Sequence, residues 1–329
     1  MRCMALAQRL VAKGHEAAFL CRALPGNLIA LVEAQGLGVM RLAGAAMPGQ
    51  ADDAASCLAE IGRQRYDWLV VDHYELDATW EKVMSAAISR ILAIDDLGRH
   101  HHCFLLLDQN CANPAHDLYR HRTLPATGML LGPGYALLRP EFAALRAASL
   151  TRGRSKLERI LVFMGGSDPM NETAKALAGI ALAARPGLRI DAVIGSQNPH
   201  RQAITAACGR LRDARLHVQT TGMAELMAGA DLAIGSGGSA TWERCALGLP
   251  AVVTLLAENQ TLIAEAVTKA GGQRTLGWFE TVAPIDYAQA IDAIEPNQLG
   301  RMSAAAAHIC DGAGTDRVVD ALMSRPVNT

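Results

Sequence analysis

The chain has 329 residues, of which 31 are basic and 32 acidic, so its formal charge is −1. This length predicts two domains, each with its own hydrophobic core. The balanced charge excludes a broad electrostatic attraction to nucleic acid or anionic lipid, and the sequence has neither a signal-peptide core nor an apolar run that could span a membrane. The partner we expect is a small molecule, with no nucleic-acid and no membrane partner, and nothing in the sequence indicates an oligomeric state.

The first predicted element is a helix over residues 1–13. Met4, Ala7, Leu10 and Val11 fall on one face at helical spacing, and Gly14 is a natural residue to follow the last turn. In an α/β domain such a helix normally follows a strand. The strand and loop expected before this helix therefore do not occur in the sequence.

Short apolar runs alternate with helical stretches along the rest of the chain. This alternation predicts buried parallel strands joined by helices, which is the doubly wound α/β class. A polar, Arg-rich stretch between two such series predicts an interdomain linker at 146–158, between an N-terminal domain at 1–145 and a C-terminal domain at 159–329. The predicted strands are Ala17–Cys21, Trp68–Val71, Arg90–Ile94, Phe104–Leu107, Ile160–Phe163, Ile190–Ile194, Leu232–Ile234 and Ala251–Leu255.

Polar groups follow two strands in the N-terminal half. His73 and Tyr74 come directly after Trp68–Val71 and are candidate acid, base or hydrogen-bonding residues. Asp95 and Asp96 end the next strand, but adjacent side chains on an extended segment point to opposite faces, so at most one enters a site. The three consecutive histidines at 100–102 lack the separated ligand pairs of zinc sites. We therefore predict no metal and no cofactor.

Two glycine-rich loops follow strands in the C-terminal half. The first contains Gly165, Gly166, Ser167 and Asp168 and predicts a phosphate site at a helix N-terminus, with Asp168 as a simple helix cap being the alternative. The second contains the residues Ser236, Gly237, Gly238, Ser239, Ala240 and Thr241. Two such loops at the carboxyl ends of parallel strands favour a diphosphate ligand.

Glu243 lies in the first turn of the helix that follows the second loop. A carboxylate there would repel a diphosphate unless it turned aside to accept hydrogen bonds from ribose hydroxyls; the alternative is a favourable interaction with the helix dipole alone. After the next strand, Asn259 and Gln260 offer uncharged amides that suit a sugar or a phosphate oxygen. An ordinary helix-capping loop would explain the same pair.

Taken in order, these motifs resemble those of the PseG-type UDP-2,4-diacetamido-2,4,6-trideoxy-β-L-altropyranose hydrolases of pseudaminic acid biosynthesis, which are relatives of MurG-type glycosyltransferases. The resemblance runs over nearly the whole chain. It rests on Asp72-His73-Tyr74, Ile94-Asp95-Asp96, Gly132-Pro133-Gly134-Tyr135, Met164-Gly165-Gly166-Ser167-Asp168, Ser236-Gly237-Gly238-Ser239, Glu258-Asn259-Gln260 and Asp311-Gly312-Ala313-Gly314.

The resemblance implies a GT-B architecture, in which two Rossmann-like domains face each other across a cleft and the C-terminal one holds UDP. It implies metal-independent hydrolysis of the UDP-sugar in the cytoplasm, with inversion at the anomeric carbon, and it places Tyr74 and Asn259 beside the sugar. Members of the family begin with a G-x-G-H loop whose His activates water, and this chain starts after it. The alternatives are an inverting GT-B glycosyltransferase and a non-catalytic UDP-sugar-binding protein.

Overall fold

The computed structural model describes residues 1–44, 48–110, 118–295 and 297–324. The chain forms two compact units: an N-terminal unit made of Met1–Arg139 and Ala313–Thr329, and a C-terminal unit made of Pro140–Gly312. The chain ends in the unit in which it begins, because its last helix packs on the N-terminal unit.

The N-terminal unit contains five helices and six strands among its described residues. The helices are α1 (Arg2–Ala12), α2 (Ile29–Ala34), α3 (Gln50–Ile61), α4 (Ala78–Met84) and α13 (Gly314–Met323), and the strands are β1 (Ala18–Arg22), β2 (Gly38–Leu42), β3 (Leu69–Val71), β4 (Ile91–Ile94), β5 (Leu105–Asp108) and β6 (Gly128–Leu131).

The strands of this unit form two parallel sheets, with the orders β1-β2 and β3-β4-β5-β6. Helix α1 covers both sheets: Met4 and Ala7 pack with residues of α2 and β2, whereas Leu6 packs with residues of β4 and β5. This division of the apolar face follows from helical spacing, which turns Leu6 away from its neighbours at the fourth and seventh positions. The predicted N-terminal helix is confirmed.

The C-terminal unit contains eight α-helices and one six-stranded sheet in the part of the chain that the structure describes. Its elements are α5 (Pro140–Arg152), β7 (Arg159–Phe163), α6 (Glu172–Leu182), β8 (Arg189–Ile194), α7 (Arg201–Gly209), β9 (Ala214–Val218), α8 (Met223–Gly229), β10 (Leu232–Ser236), α9 (Ala240–Ala246), β11 (Ala251–Leu255), α10 (Thr261–Lys269), β12 (Gln273–Trp278), α11 (Pro284–Asp292) and α12 (Gln298–Ile309).

The order of this sheet is β12-β11-β10-β7-β8-β9, and all of its strands are parallel. From β7 the chain builds outward through β8 and β9, and it then returns to the other side of β7 with β10. The order of the sheet therefore reverses between β7 and β10, and in open α/β sheets ligands bind at the carboxyl ends of the strands at such a point.

The predicted linker at 146–158 differs from the observed division, which falls between Arg139 and Pro140. Most of the predicted linker lies in helix α5 and in the segment that follows it. Arg146 donates to the backbone carbonyls of Ala246, Ala307 and Cys310 in the same unit. Arg146 and Arg154 of this stretch donate to backbone carbonyls inside the unit, and Arg152 pairs with the Asp231 carboxylate.

All eight predicted strands occur, with ends shifted by one or two residues. Four strands were not predicted: β2, β6, β9 and β12. All four are edge strands, and their burial is only partial. Mixed burial gives a weaker apolar run than the fully buried β4 or β11. Within the described ranges, no helix is both long enough and apolar enough to cross a membrane.

Candidate functional site

The loops after β7 and β10 lie side by side at the carboxyl edge of the C-terminal sheet. The two strands pair in register, with Gly235 opposite Phe163. A Cβ on Gly235 would lie 2.7 Å from the Phe163 carbonyl oxygen, so this approach of the two strands requires a glycine. The close pairing brings together the two glycine-rich loops that the sequence analysis singled out.

The loop after β7 presents backbone and hydroxyl groups at its start. Gly165 has φ of +106°, a conformation that favours glycine, and Gly166 and Ser167 are exposed. The Gly166 carbonyl accepts a hydrogen bond of 2.9 Å from the Gly195 backbone N–H, and a Cβ on Gly195 would lie 2.7 Å from that oxygen. The loop is thus held from behind by the end of β8, with its exposed side open to a ligand.

Asp168 supports the cap alternative. Its carboxylate is buried and accepts 2.9 Å hydrogen bonds from the backbone N–H groups of Glu172 and Thr173, in the first turn of α6. Helix α6 begins at Glu172, four residues after Asp168. Asp168 therefore occupies the N–H groups that a phosphate at this helix would use, and Gly165, Gly166 and Ser167 are the groups of this loop that face solvent.

The loop after β10 is underlain by a buried arginine. Arg244 Nη2 donates to the Ser236 carbonyl at 3.0 Å and to Thr241 Oγ1 at 2.9 Å, so it connects the beginning of the loop to α9. Burial lowers the pKa of the Arg244 guanidinium to about 10. The neighbouring Glu243 carboxylate attracts this guanidinium and opposes the effect of burial. Thr241 is buried and faces Arg244 rather than solvent.

The rest of this loop is more accessible. Ser239 precedes α9, is exposed and makes no side-chain capping hydrogen bond. Its neighbours Gly238 and Ala240 are half-buried. Glu243 is half-buried in the first turn of α9, at the place that the ribose prediction requires. Its role stays a prediction.

Gln260 braces the loop after β10 from the neighbouring strand. Its Oε1 accepts from the backbone N–H groups of Gly237 at 3.2 Å and of Leu256 at 3.0 Å. The oxygen of this amide is therefore used within the protein, and only the Nε2 side of Gln260 can serve a ligand. Asn259, the other predicted amide, is exposed in the short 3-10 turn at Glu258–Gln260.

In the N-terminal unit, the predicted His73 and Tyr74 lie in a turn after β3 that Arg99 holds. Arg99 Nη1 donates to the carbonyls of His73 at 3.1 Å, Tyr74 at 2.8 Å and Leu76 at 2.7 Å. The guanidinium also stands 6.0 Å from the centre of the Tyr74 ring. Arg99 thereby fixes the turn through three of its carbonyls.

The geometry limits what His73 and Tyr74 can do. His73 Nδ1 accepts a 3.1 Å hydrogen bond from the Glu75 backbone N–H, so a neutral imidazole carries its proton on Nε2 and presents a donor there. Partial burial and the nearby Asp96 raise the pKa of Tyr74, whose hydroxyl lies 3.4 Å from Asp96 Oδ2. In these states both side chains are hydrogen-bond donors rather than bases.

Arg2 forms a two-point ion pair at the same edge of the N-terminal unit. Its Nε and Nη2 donate to Asp72 Oδ2 at 2.9 Å and to Oδ1 at 2.6 Å, and Cys3 Sγ lies 3.2 Å from Oδ2. Although burial opposes the effect, the Arg2 guanidinium lowers the pKa of Asp72. Asp96 is held separately, by Asn110 Nδ2 at 2.7 Å.

Asp95 and His101 belong to a buried charge cluster below the turn. His101 Nδ1 lies 2.7 Å from Glu81 Oε1, and its Nε2 lies 3.5 Å from Asp95 Oδ2, too far for a hydrogen bond of normal length. Although burial opposes the effect, the two carboxylates raise the pKa of His101 to about 9. Asp95 also accepts from Arg99 Nε at 2.7 Å. This cluster positions Arg99, and the described residues include no group of His, Cys, Asp and Glu arranged to hold a metal ion.

Sequence reasoning missed Arg99 and Arg244. Arg99 lies in the loop after β4 and Arg244 in α9, and the sequence around neither residue indicates the hydrogen bonds it makes. The only available signal was its proximity to a motif: Arg99 lies four residues after Asp95, and Arg244 directly follows Glu243.

Comparisons with known proteins relate the chain to nucleotide-sugar enzymes. No family model matches it. It is 34% identical over 154 residues to the spore coat polysaccharide biosynthesis protein SpsG of Bacillus subtilis, an alignment that covers 46% of this chain and 44% of that protein. It is 26% identical over 169 residues to the UDP-2,4-diacetamido-2,4,6-trideoxy-beta-L-altropyranose hydrolase of Campylobacter jejuni, covering 51% and 58%. The chain thus matches less than two thirds of the length of these relatives.

Solved structures show the fold over nearly the whole chain. MurG of Acinetobacter baumannii matches with a TM-score of 0.71 at 17% identity, covering 98% of this chain and 95% of that one. A UDP-GlcNAc 2-epimerase from Neisseria meningitidis, bound to UDP-GlcNAc, matches with a TM-score of 0.67 at 12% identity, covering 98% and 96%. The predicted α/β fold of the GT-B class, with two Rossmann-like domains, is confirmed.

Proposed function

We propose that the chain binds a UDP-sugar at the loops after β7 and β10 and hydrolyses it to UDP and free sugar. The observation that carries the proposal is the meeting of two glycine-rich loops at the point where the order of a parallel sheet reverses. Open α/β sheets bind nucleotides at this point. The sequence similarity to a UDP-sugar hydrolase supports the choice of nucleotide and of reaction.

In this proposal the diphosphate lies against Gly165, Gly166 and Ser167 of the first loop and Gly238 and Ser239 of the second. These groups are exposed or half-buried, and the carbonyl of Gly166 is already bonded on the far side of the loop. Backbone N–H groups fixed in this way stabilise the charge that builds up on departing UDP without having to reorganise. The ribose is assigned to Glu243.

The proposed reaction is attack of water on the anomeric carbon with inversion. The bond from that carbon to the diphosphate oxygen breaks, its electron pair leaves with UDP, and one proton of the attacking water is released to solvent. Asn259 and Tyr74 are assigned to the sugar. Tyr74 and His73 are hydrogen-bond donors in the observed geometry, which suits them to orient hydroxyl or acetamido groups rather than to remove a proton from water.

We place the protein in the cytoplasm. The seven described cysteines are all free thiols, which suits a reducing compartment.

Two other functions have an observation in their favour. The structural likeness to MurG favours an inverting glycosyltransferase, in which an acceptor hydroxyl takes the place of water. The engaged Nδ1 of His73 favours a protein that binds the UDP-sugar without turning it over.

An isotope experiment tests the three functions together. The protein is incubated with UDP-2,4-diacetamido-2,4,6-trideoxy-β-L-altropyranose in ¹⁸O-water, and the products are analysed by mass spectrometry and ³¹P NMR. Hydrolysis as proposed places ¹⁸O on the anomeric carbon of the free sugar and none on UDP. Label on the UDP phosphate would contradict attack at carbon. Tight UDP binding without UDP release would identify a binding protein or a transferase, and release that requires an added acceptor would identify the transferase.

A further inference from the structure

Trp278 ends β12 and places an exposed indole ring at the carboxyl edge of the C-terminal sheet. Of its surface, 37% is accessible to solvent. The other three tryptophans of the sequence are less accessible, since Trp80 and Trp242 are buried and Trp68 is half-buried. In open α/β sheets ligands bind at this edge, and an indole ring offers a large apolar face to a bound molecule.

A β-bulge determines which face of the sheet carries Trp278. Val253 pairs with Thr275 and Leu255 pairs with Trp278, so β12 has one residue more than β11 between the two pairs. Such an extra residue moves the side chains that follow it to the opposite face. Trp278 therefore lies level with Leu255 on the same face as Thr275, whose hydroxyl is hydrogen-bonded to α10 at 2.8 Å. Gly277, with φ of +122°, adopts the conformation that the bulge requires.

A groove with a volume of about 470 Å³ lies between α10 and the strands β11 and β12. Leu255 and Thr261 line it at the carboxyl edge of the sheet, and Ala264 and Thr275 line it further along. Because Trp278 is paired with Leu255, its ring lies next to the end of the groove that opens at this edge. A concave surface beside an exposed aromatic ring is typical of small-molecule sites.

The groove is continuous with the loop to which the diphosphate is assigned. Gln260 Oε1 accepts from the Gly237 backbone N–H at 3.2 Å, and a Cβ on Gly237 would lie 3.1 Å from the Gln260 Cβ. The loops after β10 and β11 are therefore in contact. Thr261, which directly follows Gln260, already lines the groove. A sugar attached to a diphosphate at the loop after β10 would thus have the groove and Trp278 within the same edge of the sheet.

We propose that Trp278 stacks on the sugar of the bound UDP-sugar and selects a sugar that presents an apolar face. The inference rests on the proposed function, because it requires the diphosphate at the glycine-rich loops. The sugar proposed there carries acetamido groups at C2 and C4 and a methyl group at C6, where glucose has hydroxyl and hydroxymethyl groups. Its larger apolar surface gains more from contact with an indole ring than the surface of a fully hydroxylated sugar. Trp278 contributes to binding and selectivity and takes no part in bond breaking.

The first test compares the KM for UDP-2,4-diacetamido-2,4,6-trideoxy-β-L-altropyranose with the calorimetric affinity for UDP. Trp278→Ala should raise KM about tenfold, because a stacked ring is lost, and should leave kcat unchanged and UDP affinity within about twofold. Trp278→Phe keeps an aromatic face and should recover most of the loss. Leu182→Ala is the matched control: Leu182 is an exposed apolar residue at the end of α6, and its removal should change neither quantity.

The second test locates the ring without relying on turnover. Acrylamide quenches the fluorescence of exposed tryptophans, and Trp278 is the exposed one of the four. Saturating UDP-sugar, added by rapid mixing, should protect the wild-type protein from quenching, whereas saturating UDP should not. Trp278→Phe should show no protection with either ligand.

The outcomes separate the two proposals. If the wild-type protein binds neither UDP nor the UDP-sugar, the proposed function and this inference are both wrong. Protection by the UDP-sugar without hydrolysis would contradict the proposed reaction and support the contact. If the UDP-sugar is hydrolysed but UDP alone protects Trp278, the ring contacts the nucleotide and the inference alone is wrong. An unchanged KM in Trp278→Ala, or an equal loss of UDP and UDP-sugar affinity, would also overturn the inference alone.

Discussion

Removing the charge of His101 should abolish a pH dependence of stability that is confined to the N-terminal unit. His101 is buried between Glu81 and Asp95, and these carboxylates raise its pKa to about 9 from an ordinary value of 6.5. A histidine whose pKa is higher in the folded state stabilises the fold fully below its unfolded pKa. That stabilisation is lost as the pH rises through the folded pKa.

The size of the effect follows from the two pKa values. Linkage gives a contribution of about 3 kcal/mol at pH 6.5 and about 1 kcal/mol at pH 8.5, so about 2 kcal/mol should be lost over this interval. The Arg99 network should loosen at the same time, because Asp95 holds both His101 and Arg99. His101→Gln keeps a hydrogen-bonding side chain but has no proton to lose, and its stability should be lower at pH 6.5 and nearly independent of pH up to 8.5.

The assay is urea unfolding followed by pulsed hydrogen exchange and mass spectrometry, with each unit read through its own peptides. Peptides from α4 and β4 report on the N-terminal unit, and peptides from β7 provide the internal control. Cysteine ionisation in the unfolded state contributes equally to wild type and variant and cancels in their difference. Equal pH slopes for the wild type and His101→Gln in the N-terminal peptides would refute the reasoning, because the cluster would then not hold a proton on His101.

The other predictions concern the site. Glu243→Ala should weaken UDP binding, measured by calorimetry, about a hundredfold, because two charge-assisted hydrogen bonds of about 1.5 kcal/mol each are lost. An unchanged affinity in a folded variant would remove Glu243 from the site. Asp168→Ala should lower the free energy of unfolding of the C-terminal unit by about 1 kcal/mol, because α6 loses its cap, and unaltered urea stability would contradict that role. Arg99→Met should reduce turnover more than UDP affinity, because the turn that carries Tyr74 loses three hydrogen bonds; Arg99→Lys should recover little, since one ammonium cannot reproduce them. EDTA should leave UDP binding and hydrolysis intact, and activity restored by one particular divalent ion would contradict a metal-free site.

Much of the fold followed from local pattern. Buried parallel strands such as β4 and β11 are short continuous apolar runs, and the amphipathic spacing of α1 indicates a helix without any tertiary information. The two glycine-rich loops could also be predicted from the sequence, because glycines that directly follow an apolar run indicate a loop at the end of a strand. These features depend on neighbours in sequence, and the sequence by itself therefore determined the α/β class and the positions of the two glycine-rich loops to which we assign the nucleotide.

Which polar groups remain open to a ligand was decided only by tertiary structure. Asp168 looked like part of a phosphate loop, but its carboxylate is buried and caps α6. The Gln260 side-chain oxygen accepts hydrogen bonds from the backbone N–H groups of Gly237 and Leu256. The Arg-rich stretch at 146–158 looked like a solvated linker, although its Arg146 and Arg154 donate to carbonyls distant in sequence. A buried polar group must find partners, and those partners come from elements far along the chain. For the same reason the sequence gives no signal that Arg244 is buried beneath the loop after β10, because that position depends on the strand and the helix around it.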